Sequence, residues 1–259
     1  MIDEVIAIVR EASKLMTVRD MEVEQKGNAS NYVTSSDVAI QEFLSEKLTA
    51  LAEGSSVLGE EEVSESILTG KVWIIDPIDG TSNYIRDIGL SVISVAYMVE
   101  GQSELGVVYN PYRDEMFSAV AGRGAYLNGR RIHVSDRDFE HSHLCSAMSL
   151  YDKNYAAPCF RIIEKVYAQS DDLRRLGSAA LELAYLAAGR VELYFEVRVF
   201  AWDIAAAMLL IKEAGGLVRV YGSDKVPLDR PFPIYAANNA ENMDRLEKII
   251  YEEIPEPLY

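Results

Sequence analysis

The sequence predicts an α/β protein, and three observations carry that reading. Apolar residues recur at helical spacing from Ile2 to Leu15, a β-rich stretch runs from Leu90 to Ile132, and helix and strand patterns alternate from Cys159 onward. In the first stretch, Ile2, Val5, Ile6, Val9, Ala12 and Leu15 share one helical stripe. Val38, Phe43, Leu44, Leu48 and Leu51 set a second helix, and Thr34 and Asp37 stand in capping-box spacing around its start near Ser36. Ser56 to Gly59 and Val72 to Ile75 are short apolar runs ending in acidic loops, and Pro77 is expected to stop the second because it has no N–H to donate. Leu90 to Val99, Leu105 to Tyr109 and Glu115 to Val120 read as an antiparallel meander. A hairpin at Asn128-Gly129, a dipeptide suited to two positive φ angles, closes it. The polar stretch Ser135 to Ser142 divides the chain into a half of residues 1–135 and a half of residues 136–259, expected to form one domain. In the second half, Cys159 to Ala168, Ser178 to Ala188, Ala201 to Ala214 and Ala240 to Glu252 alternate with Asp172 to Leu176, Val191 to Val197, Leu217 to Tyr221 and Ile234 to Ala237. Gly215-Gly216 ends the helix before it.

Composition narrows the function classes. The 259 residues carry 25 Lys plus Arg against 41 Asp plus Glu, a formal charge of −16, so nucleic-acid phosphates and anionic lipid are disfavoured partners. A 49% hydrophobic content fits a globular chain. Apolar runs such as Ile204 to Ile211 fall far short of the roughly 20 residues that cross a bilayer. Asp3, Glu4 and Glu11 are foreign to a signal peptide, so a cytoplasmic location is expected. Cys145 and Cys159 have no metal-ligand spacing and read as reduced thiols. His141 and His143 would share a strand face but sit in a polar stretch, which gives zinc little support.

The chemistry concentrates in Asp76-Pro77-Ile78-Asp79-Gly80-Thr81, at the end of an apolar run. Two carboxylates leave one turn as potential cation ligands, and Gly80-Thr81 lets backbone N–H groups approach an anion at a following helix start. A hydrogen-bonded Asp-rich turn is the structural alternative. Gly59-Glu60-Glu61 is a second acidic strand end, or simply a solvated loop. Ala201-Trp202-Asp203 opens a helix, where Asp203 taken alone would be an N-cap. No complete dinucleotide fingerprint, P-loop or Gly-x-Ser-x-Gly elbow is present.

Taken together, these segments resemble the inositol monophosphatase family of Mg²⁺-dependent, lithium-sensitive phosphatases. Glu-Glu after a strand, Asp-Pro-Ile-Asp-Gly-Thr about 15 residues later and Trp-Asp far downstream match its signatures in type, order and spacing. The resemblance spans almost the whole chain, from Lys26 and Val33-Thr34 with Asp37 to Glu213-Ala214-Gly215-Gly216. It implies a layered αβαβα fold like that of the inositol monophosphatases and fructose-1,6-bisphosphatases. It further implies hydrolysis of a small phosphate monoester, myo-inositol monophosphate foremost, by Mg²⁺-activated water, and a possible homodimer. By the same resemblance Glu60, Asp76 and the carbonyl of Ile78 hold one Mg²⁺, and Asp76, Asp79 and Asp203 a second, with Glu60 assisting a weaker third. Asp37 and Thr81 polarise the attacking water, Gly80 and Thr81 cradle the phosphate, and Asp79, Ala179, Glu196 and Asp203 meet the substrate. Ala179 as a helix-packing residue and Glu196 as a strand-end surface acid are the plain alternatives.

Asn31, Arg198, Phe200 and Ala201 depart from some inositol phosphatases, and Arg198 would suit a second phosphate. Fructose-1,6-bisphosphatase and nucleotide 3′-phosphatase activities are therefore the nearest rivals. A haloacid-dehalogenase phosphatase would need Asp-x-Asp, whereas two residues separate Asp76 from Asp79. A non-catalytic cation-binding or inositol-phosphate-binding protein is a further alternative, made less attractive by the presence of both Thr81 and Asp37.

Overall fold

The computed structural model describes residues 1–17, 22–25, 32–61, 70–148, 153–223 and 225–256. Helix α1 (Ile2–Ala12) runs into a 3₁₀ turn over Ser13–Thr17 and buries Val5, Val9 and Ala12. Strands β1 (Val23–Gln25) and β2 (Tyr32–Thr34) form a short antiparallel pair that the apolar pattern does not announce. Helix α2 (Ser35–Leu51) starts at the expected capping box: the Thr34 N–H donates to Asp37 at 2.7 Å, and the Asp37 N–H donates to the Thr34 hydroxyl oxygen at 3.3 Å. Its buried face carries Ile40, Gln41, Leu44 and Leu48, while Val38 is 43% exposed, contrary to the predicted stripe. The cap turns Asp37 inward, and Val38, two residues before Ile40, lies about 200° around the helix from it.

Strand β3 (Ser56–Gly59) runs parallel to β4 (Lys71–Asp79), which is followed by the short helix α3 (Thr81–Ile85). Strands β5 (Val92–Val99), β6 (Gln102–Asn110), β7 (Glu115–Val120), β8 (Ala125–Leu127) and β9 (Arg130–Ile132) then add antiparallel in chain order. Pro77 does not stop β4. The strand continues to Asp79 through an irregularity between Asp76 and Asp79 in its pairing with β5, the kind of place where a sheet tolerates a residue without an N–H. The hairpin turn has φ of 50° at Asn128 and 76° at Gly129, as the dipeptide predicts.

The second half builds another sheet, in the order β11-β10-β12-β14-β13, from β10 (His143–Ala147), β11 (Asp172–Arg174), β12 (Leu193–Val199), β13 (Leu217–Val220) and β14 (Phe232–Ala237). Helices α4 (Ala156–Tyr167), α5 (Ala179–Ala187), α6 (Ala201–Glu213) and α7 (Ala240–Glu253) alternate with these strands. Strand β10 was not anticipated; it follows directly on the polar stretch.

The layers follow from the period-two side chains of β4, which is buried on both faces. Trp73 and Ile75 meet α1 and α2 through Val9, Ile40 and Leu44, whereas Val72 and Ile74 join a core with Leu183 of α5 and Ala206 and Leu210 of α6. That second core also takes Tyr194 and Ile234 from the other sheet, so α5 and α6 lie between the two sheets. Cys159, Ile162, Leu246 and Ile250 of α4 and α7 cover the far face against Phe195 and Tyr235. The architecture is the expected αβαβα sandwich. Among the described residues, no helix is long and apolar enough to cross a membrane.

Helix α6 approaches β6 closely: a Cβ built on Gly106 would lie 2.6 Å from the carbonyl oxygen of Ala206. Gly106→Ala should therefore destabilise the protein by about 1–3 kcal/mol through overpacking. The midpoint of urea unfolding checks this.

Candidate functional site

One polar pocket gathers Glu60 after β3, Asp76, Ile78 and Asp79 of β4, Gly80 and Thr81 at the start of α3, Ala179 of α5, Glu196 of β12 and Asp203 of α6. Sequence reasoning had singled out each of these. Asp37 lies behind the pocket, fully buried. Lys26 and Asn31 lie outside the described residues.

Local geometry fixes each group. The strand irregularity at Pro77 turns the Ile78 N–H onto Asp76 Oδ1 at 3.0 Å. Asp79 reaches into the other half: its carboxylate accepts the Ser178 hydroxyl at 2.6 Å and the N–H groups of Ala180 at 2.7 Å and Ala179 at 3.3 Å. Asp79 thus caps α5 from outside. Asp203 is not the N-cap of α6. It sits at the third helical position and accepts the Phe200 N–H at 2.7 Å, the reciprocal bond of a capping box. Glu196 is not a strand-end surface acid either; it lies within β12, opposite Ile234, and accepts the Tyr194 hydroxyl at 2.6 Å. The Thr81 hydroxyl has two acceptors, the Ile78 carbonyl at 3.1 Å and Asp37 Oδ1 at 3.5 Å. Gly80 has φ of 88°, and a Cβ there would lie 3.1 Å from the carbonyl oxygens of both Gly177 and Leu90.

Electrostatics set the chemistry. Burial raises the Asp37 carboxyl to about 6 despite its bonds from Thr34. Asp76 is pushed well above the usual range by burial and then by the neighbouring charges of Glu60, Asp79 and Asp203. Burial also raises Asp79 and Asp203, the latter helped by the charge of Asp79. Burial takes Glu182 to about 7 and Glu196 to about 8. Carboxylates packed this way need protons or cations to balance them.

Oxygen-only donors suit a hard divalent cation such as Mg²⁺. Among the described residues no three His, Cys, Asp or Glu side chains already stand together as metal ligands. Asp76 and Asp203 are each bonded to a backbone N–H through one oxygen, and their other oxygens are the ones that would serve a cation. Histidine and cysteine contribute nothing to the site. His141 pairs with Asp138 at 2.6 Å and His143 with Asp171 at 3.1 Å, while Cys145 and Cys159 are free and buried in the core.

Sequence reasoning missed Tyr32, Arg175 and Glu182, which also line the pocket, and Asn83 beside it. Glu182 had a readable signal, an acid isolated in the apolar run from Ala179 to Ala184. Arg175 had none.

An αβαβα sandwich with an acidic pocket where strand and helix ends of both halves meet is the architecture of a phosphatase family. The sequence model of the inositol monophosphatase family matches residues 1–254, and the chain belongs to that family. It is 39% identical over 201 residues to a Nus factor SuhB of Salmonella typhimurium, a match covering 76% of this chain and 74% of that protein. It is 37% identical over 203 residues to an inositol-1-monophosphatase of Mesorhizobium japonicum, covering 78% and 76%. An inositol monophosphatase structure from Thermotoga maritima aligns with a TM-score of 0.86 at 32% identity, covering 98% of this chain and 97% of that one. A structure described as an IMPase/NADP phosphatase complexed with Mg²⁺ and phosphate shares the fold at 22% identity and a TM-score of 0.82, covering 95% and 91%.

The raised carboxyls give stability a definite pH dependence. Glu182 and Glu196 hold protons in the folded state up to about 7 and about 8, while their ordinary value is 4.5. Between those limits the folded chain binds more protons than the unfolded one, so their effect is to lower stability as pH rises. Urea midpoints measured in chelator should fall from pH 5 to pH 8, and Glu196→Gln should flatten that fall.

Proposed function

We propose that this chain is a Mg²⁺-dependent phosphate monoester hydrolase with myo-inositol monophosphates as its leading substrates. The observation that carries the reading is the Thr81–Asp37 pair placed beside the carboxylates of β4. In this reading Glu60, Asp76 and the Ile78 carbonyl hold one cation, Asp76, Asp79 and Asp203 a second, and Glu60 assists a weaker third. Bound Mg²⁺ would neutralise these carboxylates, polarise the phosphoryl oxygens and make water more acidic.

The chain's own residues supply position and proton transfer. Backbone N–H groups at Gly80 and Thr81 face the phosphate, and the left-handed turn at Gly80 brings that backbone close. When the Thr81 hydroxyl turns its proton from Ile78 to Asp37, its lone pair is left to accept a hydrogen bond from water, orienting the water in line with phosphorus. Asp37, at about 6, is mostly ionised at neutral pH and takes the Thr81 proton as Thr81 takes one from the water, so that one proton passes from water to Asp37 and hydroxide is left to attack. Glu196, Asp79, Asp203 and the Ala179 backbone meet the sugar hydroxyls. The same reading includes a cytoplasmic homodimer and inhibition by Li⁺.

A second reading has a specific observation behind it. Arg175 and Arg198 both line the pocket, and two guanidinium groups favour an ester carrying a second anion, such as fructose 1,6-bisphosphate. Phosphate release across a panel of monoesters and bisphosphates, with and without Mg²⁺, tests both readings. No release from any ester with Mg²⁺ would refute them together.

Asp203→Asn keeps an acceptor for the Phe200 N–H but removes a charged cation ligand. It should lower kcat at least about 100-fold with the melting temperature little changed. Phosphate release and thermal melting on the same sample check this; near-normal activity would remove Asp203 from the ligand set. Asp76 is 1% exposed and bonded to the Ile78 N–H, so it is poorly placed as a nucleophile. Direct attack by water predicts inversion at phosphorus in an isotopically chiral ester, and retention would indicate a phosphorylated aspartate.

A further inference from the structure

A short segment of backbone joins strand β11 to the Asp79-capped start of α5, and two side chains from different halves of the molecule grip it. Glu182, 1% exposed, accepts the N–H groups of both Leu176 and Gly177 on one carboxylate oxygen, the second at 3.1 Å. Asn83 of α3 takes the carbonyls of the same dipeptide, donating from Nδ2 to Leu176 at 2.7 Å and, more weakly, to Gly177 at 3.4 Å. The same amide reaches the Leu90 carbonyl at 3.0 Å, ahead of β5. Gly177 fits between them only as glycine: its φ is 81°, and a Cβ would stand 3.2 Å from Asn83 Nδ2.

We infer that Glu182 and Asn83 are positioning residues that clamp the Leu176–Gly177 dipeptide and so fix the substrate-facing loop that carries Arg175. On either side the backbone has other anchors. Asp172 to Arg174 pair with β10, and Ser178 to Ala180 are held by Asp79. Arg175, which lines the pocket with Glu196 and Arg198, stands in the bridge between those anchors. Loss of the clamp therefore shifts the substrate-facing loop while leaving the Asp79 contacts in place.

The other oxygen of Glu182 is buried with no hydrogen-bond partner. A carboxylate in that setting opposes stability, whereas a glutamine could accept the same two N–H groups without carrying a buried charge. What Glu182 provides is a single oxygen that accepts both N–H groups of one dipeptide. One of its oxygens is taken by the dipeptide and the other is buried, so it acts on substrate through the loop.

The kinetic consequence rests on the phosphatase reading above, so the test pairs kinetics with a measurement independent of turnover. Amide hydrogen exchange at Leu176 and Gly177 is measured on the full chain and on Glu182→Ala, Glu182→Gln and Asn83→Ala. KM and kcat are measured with Mg²⁺ for inositol 1-phosphate and for p-nitrophenyl phosphate. Glu182→Ala and Asn83→Ala should each speed exchange at the dipeptide about tenfold and raise KM for inositol 1-phosphate about tenfold. Both should change kcat on p-nitrophenyl phosphate less than about threefold, and Glu182→Gln should stay near wild type throughout. Unchanged exchange in the alanine variants would overturn the clamp, as would equal kcat losses on both esters at constant KM, or a Gln variant as impaired as the Ala one. Should Glu182→Ala not fold, Asn83→Ala and Glu182→Gln decide the matter. If the wild-type chain hydrolyses neither ester, the phosphatase reading fails on its own and exchange alone decides the clamp.

Discussion

The burial of several carboxyl groups side by side is the constraint around which this molecule is arranged. Asp37, Asp76, Asp79 and Asp203 are all under a tenth exposed or face one pocket, and burial pushes each of them upward. The fold offers one partial remedy. Asp37 and Asp203 occupy the third position of α2 and α6, and Asp79 accepts the first N–H groups of α5, so three helix N-termini face this acidity. A helix N-terminus contributes about 0.3–1 kcal/mol toward a nearby anion, whereas burying an ion costs several. The remaining imbalance is left to protons or cations, and on the proposed reading Mg²⁺ supplies the charge.

The same carboxylates couple the two halves. Asp79 belongs to the first sheet yet caps a helix of the second half, and Asn83 holds backbone on the far side of the pocket. Behind them α5 and α6 share one core with both sheets, including Ile74, Leu210 and Ile234. Displacing the halves would uncover that core and uncap α5 at once, so the rigid sandwich holds side chains from distant parts of the sequence in register.

What could be read in the sequence divides along the range of the interactions. Thr34 and Asp37, three residues apart, announced both the cap and the start of α2, and Asn128-Gly129 announced its own turn, because each depends only on neighbours in the chain. Pro77 misled because its tolerance within β4 depends on the pairing with β5. Val38 misled because its apolar character matched a helical stripe that the inward cap at Asp37 had already rotated. Asp203 was legible as a helix-start residue, but the distinction between N-cap and third position turns on where Phe200 enters the helix. Glu182 and Asn83 gain their meaning from the Leu176–Gly177 backbone, to which no spacing rule connects Asn83.

Charge also shapes how a substrate would reach the pocket. Its walls hold six carboxyl groups, Glu60, Asp76, Asp79, Glu182, Glu196 and Asp203, against two guanidinium groups, Arg175 and Arg198, on a chain of formal charge −16. A phosphate dianion approaching such a surface without cations meets repulsion at long range and again on contact. On the proposed reading, cation and phosphate must therefore bind with positive coupling, each strengthening the affinity for the other by the same factor. The two arginines add positive charge to the same pocket wall. A second anion on the substrate would be rewarded there, while an uncharged inositol ring would rely on Glu196 and the clamped loop for its hydroxyl contacts. On that reading the acidity of the pocket becomes a requirement that the phosphate be accompanied by cations.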